Sequence, residues 1–135
     1  MKPLIVASVI LLASIAGNAL GACASTSSRV TGNLTNFLQG NTVCVPNGSG
    51  GWRWQEQHRA GGQLWDFKRG SSTVDPTDQV GTWSATNGAN AQVTHAYTGG
   101  GSFSWAVWDN LNGTHSFCGS TEIVATIKSG ISGCP

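Results

Sequence analysis

The sequence predicts an all-β chain of about eight short strands, an antiparallel meander closing into a small barrel, with one short N-terminal helix. Three observations lead there. Apolar and aromatic residues alternate with polar ones in short runs, the two-residue period of a half-buried strand. Between the runs lie turns such as "NGSGG", "AGG", "NGAN", "TGGG" and "LNG", built from residues that accept positive φ or tight hairpins. Finally, a meander of that length leaves two bare sheet edges unless it closes on itself, and closure removes them.

In chain order, Met1 and Lys2 precede "PLIVASVILLASIAG", one charge followed by an apolar run, which is the pattern of a signal peptide over residues 1–21. Two exits compete. Ala19-Leu20-Gly21 fits an ordinary signal peptidase, whereas Leu20-Gly21-Ala22-Cys23 fits a bacterial lipobox that would place a lipid on Cys23. Residues 22–33, with the Ser-rich "ASTSS", form a flexible N-terminal segment. A single barrel domain then occupies 34–135, a size that suits one domain. In "LTNFLQG" (34–40), Leu34, Phe37 and Leu38 share a helical face, with Asn33 as cap and Gly40 as stop. The strands follow: "TVCVP" (42–46), "GWRWQEQHRA" (51–60), "QLWDFKR" (63–69), "VGTWSAT" (80–86), "AQVTHAYT" (91–98), "SFSWAVWD" (102–109), "THSFCG" (114–119) and "EIVATIK" (122–128). The longest connection, "GSSTVDPTDQ" (70–79), reads as an exposed loop.

Four cysteines, Cys23, Cys44, Cys118 and Cys134, form an even set in a small exported chain, which implies two disulfides with three possible connectivities. The preferred one is nested, Cys44 with Cys118 and Cys23 with Cys134, because a lipid on Cys23 would strand Cys134. Removing Lys2 leaves six basic against six acidic residues and no net charge. With no basic stripe, nucleic acid is not an expected partner, and the mature chain has no apolar run long enough to span a membrane as a helix. The chain is expected to be secreted or periplasmic, or anchored to the outer membrane if Cys23 is lipidated.

"LTNFLQGNTVC" (34–44), "WQEQHRAGGQLWDFKRG", "VDP", "VGTWS" (80–84) and "SFCG" resemble small secreted bacterial proteins of unknown function. Members of that group begin with a Leu-rich turn and a "GNT" strand and carry a mid-chain Gly-x-Trp strand. The resemblance implies a lipocalin-like or avidin-like small barrel in the periplasm or outside the cell, and it supplies no activity. Gly81-Thr82-Trp83 is also similar to the Gly-x-Trp of lipocalins, where it lies on the first strand.

Strand parity groups the candidate site residues. Trp52, Trp54, Glu56 and His58 share one face. Trp65, Phe67 and Arg69 share another, Val93, His95 and Tyr97 a third, and Phe103, Trp105 and Val107 a fourth. The six tryptophans can simply fill the barrel, each burying ~150–250 Å². The functional expectation is that Trp52, Trp54, Glu56, His58, Trp65, Arg69 and Trp105 line a barrel mouth that takes a small apolar or sugar-like ligand. The ionisable members are expected near strand ends, where burial does not leave them unpaired. No nucleophile elbow, HExxH helix or phosphate loop is present, so the chain is read as a non-enzymatic binding module without metal or cofactor. Two other readings stand beside it: a hydrolase using Glu56 and His58, and an inhibitor or adhesion protein acting through an outward-facing Trp108.

Overall fold

The structure, a computed structural model, describes residue 23 and residues 29–67 and 77–135. The signal segment 1–21, the N-terminal residues 22 and 24–28, and residues 68–76, which include Arg69, lie outside the described residues. One short helix, α1 (Leu34–Leu38), precedes β1 (Asn41–Pro46), β2 (Trp52–Arg59), β3 (Gln63–Asp66), β4 (Asp78–Ala85), β5 (Val93–Tyr97), β6 (Ser102–Asp109), β7 (His115–Cys118) and β8 (Glu122–Ser129). Each strand pairs antiparallel with the next, and β8 returns to β1, closing the barrel. A 3-10 turn, Ala60–Gly62, joins β2 to β3.

Local chemistry places the helix. The Asn33 side chain accepts the Asn36 amide at 2.9 Å, and Gly40 leaves the helix at φ +79°, where glycine has no Cβ penalty. Leu34 and Leu38 are fully buried, and Phe37 meets the His115 ring at 5.2 Å. α1 therefore stoppers one end of the barrel. The interior behind it is packed by Leu64, Trp83, Val93, Val107 and Ala125. Trp83 satisfies its indole N–H on the Arg59 carbonyl at 2.9 Å. Its neighbour Gly81 lets β4 approach β5 closely, since a Cβ there would lie 2.1 Å from the Ala96 carbonyl oxygen.

Two straps cover the outer wall. After β8 the chain folds back over β1 and β2. The Thr42 hydroxyl donates to the Gly130 carbonyl at 2.7 Å, the Cys134 amide to Gln55 Oε1 at 2.7 Å, and the Trp52 indole to the Pro135 carbonyl at 2.8 Å. At the other end the Val30 amide donates to the Val107 carbonyl at 2.8 Å, and Arg29 lies over the Trp108 ring. Trp108 does face outward from the barrel, but this strap leaves it only 6% exposed. It is not the free surface aromatic expected from parity.

Each strap is held by a disulfide, and the pairing corrects the nested expectation. Cys23 bonds Cys118 and Cys44 bonds Cys134, with Cα separations of 5.6 and 5.9 Å. The reason is the closed strand order. β8 lies between β1 and β7, so Cys44 and Cys118 sit two strands apart, about 9.6 Å, beyond what a disulfide spans. Two disulfides are the chemistry of an oxidising, non-cytoplasmic environment. Among the described residues no helix is long and apolar enough to cross a membrane.

Candidate functional site

The end of the barrel opposite α1 is hollow. A cavity of about 560 Å³ opens between β1, β2, β5 and β6 and the β7–β8 hairpin. Its walls are mostly apolar and aromatic, with Val43, Val45, Trp54, Phe103, Trp105 and Ile123 among them. Trp54 and Phe103 are 38% and 49% exposed, so these rings are presented at the mouth and do not fill a core.

Three polar groups of the cavity wall, Glu56, His95 and Tyr97, form one connected chain with His58 behind them. β2 and β5 both direct alternate residues inward, which brings Glu56, His58, His95 and Tyr97 together. The Tyr97 hydroxyl donates to Glu56 Oε1 at 2.6 Å. His95 Nδ1 lies 3.2 Å from Glu56 Oε2 and 3.3 Å from the Tyr97 hydroxyl. Behind it, the Nε2 atoms of His95 and His58 are 2.8 Å apart. One of those two nitrogens must donate and the other accept. An ionised Glu56 calls for a proton on His95 Nδ1. With His95 neutral, His58 is then the donor between the rings, and with His95 charged the roles reverse.

Burial, then the neighbouring His95, holds the His58 pKa well below the usual 6.5, opposed only in part by the Glu56 backbone. Among the described residues its Nδ1 has no hydrogen-bond partner of good geometry. Tyr97 is pushed far above the ordinary phenol range by burial first, then by Glu56 and Asp66. His115, at the stoppered end, is lowered by burial, with Asp109 pulling the other way.

These shifts set a pH dependence. The folded state refuses a proton on His58 that the unfolded chain accepts, so the contribution of this group is complete above about 6.5 and is lost as pH falls below it. His115 acts in the same direction. Stability from urea unfolding, measured from neutral pH down to mildly acidic pH, should fall with a slope approaching ~1.4 kcal/mol per pH unit from His58, and the more exposed His115 should add less. A His58→Gln chain should show a flatter curve.

The expected site residues fall into three groups. Trp54, Glu56 and Trp105 line the cavity. His58 does not reach a rim; it is fully buried behind His95. Trp52 and Trp65 lie elsewhere. Trp52 is spent on the C-terminal strap. Register pairs Trp65 with Gln57, on the outer face, where Arg59 covers its ring at 4.1 Å. Arg69 is outside the described residues, and the residue directly across from Glu56 is Asp66.

Parity had already grouped His95 with Tyr97 and Phe103 with Trp105. What it lacked was the register that turns these faces toward Glu56. A second cluster, Cys23, Cys118 and Glu122, has the donor types of a metal site, but its two sulfurs are bonded to each other. In comparisons with known proteins, no family model, no curated protein and no solved structure matches this chain.

Proposed function

We propose that the protein is an exported, non-enzymatic binding module of the bacterial envelope or extracellular space, taking a small ligand into the open mouth of its barrel. The observation that carries this reading is the cavity. Its volume, about 560 Å³, falls within the range usual for small-molecule sites, and so does its composition of apolar walls around a few convergent polar groups. Glu56 is held by the donors of Tyr97 and His95, which suits a fixed recognition group, and the exposed rings of Trp54 and Phe103 suit a threshold that a ligand crosses. The rival reading through Trp108 has less support, because that ring lies under the N-terminal strap.

Two truncations test the proposal. Trp83→Ala empties a filled core and should destabilise by roughly 3–5 kcal/mol. Trp54→Ala removes a half-exposed ring and should cost under ~1.5 kcal/mol, while abolishing uptake of the neutral dye N-phenyl-1-naphthylamine and the accompanying tryptophan quenching. If the wild-type chain takes up neither this dye nor any member of a library of glycans and small aromatic compounds of either charge, the cavity is not a ligand site.

A further inference from the structure

The wall chemistry of the cavity bears on the charge of what it holds. Two carboxylates stand on it from directly paired positions, Glu56 on β2 and Asp66 on β3. Among the described residues lining it there is no lysine or arginine. Facing the same space are the rings of Trp54, Tyr97, Phe103 and Trp105. Three of these run together: Tyr97 meets Phe103 edge-on at 6.1 Å, and Phe103 stacks with Trp105 at 6.0 Å. An aromatic face is electronegative, and a cation over it is attracted more strongly as water is removed.

The chain already uses this affinity at the mouth, where the Arg53 guanidinium lies over the Trp54 ring at 4.9 Å. At Tyr97, burial first and then the two carboxylates oppose a negative charge on the phenol oxygen. Burial opposes a charge of either sign, whereas the carboxylate part of the effect favours a positive one. Hydrogen-bonding capacity agrees. Each Glu56 oxygen meets a protein donor on one side, and a carboxylate oxygen has a second lone pair to offer.

We propose that the ligand is an organic ammonium, a protonated amine on an apolar or aromatic body. Its head is set against Glu56 and its body lies along Phe103 and Trp105. This rests on the reading of the cavity as a ligand site and adds the charge of the occupant. A neutral sugar would gain hydrogen bonds from Glu56 without the charge attraction that an ammonium adds, and an anion would be repelled by it.

Calorimetry of the full chain with three probes of one body plan separates the cases: 2-phenylethylamine, 2-phenylethanol and 3-phenylpropionate. The amine should bind about tenfold or more tightly than the alcohol, equivalent to ~1.4 kcal/mol, and the carboxylate should not bind measurably. Added salt should weaken the amine and leave the alcohol unchanged. Glu56→Gln should bring the amine to the affinity of the alcohol. If that variant fails to fold, Asp66→Asn should narrow the same gap, and the wild-type comparison stands without either. Equal or tighter binding of the alcohol or the carboxylate overturns the cationic assignment and leaves the cavity as a site. So does uptake of N-phenyl-1-naphthylamine with none of the three probes bound. Failure of the dye and all three probes overturns the site itself.

Discussion

Full reduction of the two disulfides is expected to unfold the protein at ordinary temperatures. The bonded cysteines are 95 and 90 residues apart in sequence. In the chain-entropy model each such cross-link stabilises by ~4.6 kcal/mol. The loops overlap, so the two contributions do not simply add. Even one is a large part of the ~5–15 kcal/mol that holds a domain together. The structural consequence points the same way. Without its cross-link each strap is free to lift, and Cys44, Thr42, Gln55 and Trp108, all buried on the outer wall, meet water. Thermal unfolding followed by tryptophan emission, before and after reduction with alkylation, measures the effect. A melting curve that survives complete alkylation would sink the expectation.

Gly81→Ala should be nearly as damaging. The added methyl would lie 2.1 Å from the Ala96 carbonyl oxygen and 2.9 Å from both Ala96 C and Tyr97 Cα. All three are backbone atoms, so no side chain can rotate away. β4 would have to part from β5, at a cost of ~3 kcal/mol or more. The displacement would fall on Tyr97, the hydrogen-bond partner of Glu56, so dye uptake should fail along with stability. Gly32 is the control. Among the described residues nothing lies within 4 Å of a Cβ placed there and its φ is not positive, so Gly32→Ala should change the urea midpoint by less than ~0.5 kcal/mol in equivalent stability.

The Gly-x-Trp motif shows how legibility divided. Its presence on a strand is a local matter, and local matters read well. "SFSWAVWD" is β6 from end to end, Asn33 caps α1, and the eight alternating runs became eight strands in a closed meander. Parity is also local, which is why it groups the inward faces of β5 and β6, and Trp54, Glu56 and His58 of β2, correctly, with Trp52 the exception beside the register shift at Pro46. Register and covering depend on residues far away in sequence. Trp65 and Asp66 are neighbours, yet the β2–β3 pairing alone decides that Asp66 faces Glu56 while Trp65 turns out. Trp52 and Trp108 are aromatic residues on strands like any other, and each is claimed by a terminal strap that no alternation rule anticipates. His58 carried no sign of its partner because His95 arrives 37 residues later.

The two cross-links overlap along the chain, one running from Cys23 to Cys118 and the other from Cys44 to Cys134. Every peptide bond from Cys23 to Cys134 therefore lies within at least one covalent ring. A single protease cut anywhere in that span nicks the molecule without dividing it. Had neighbours paired instead, Cys23 with Cys44 and Cys118 with Cys134, one cut between Cys44 and Cys118 would release two pieces free to diffuse apart. Here the severed halves stay tethered, so re-forming the barrel remains an intramolecular event governed by tether length and independent of dilution. A cut in the backbone thereby leaves the two pieces associated, whatever stability it costs.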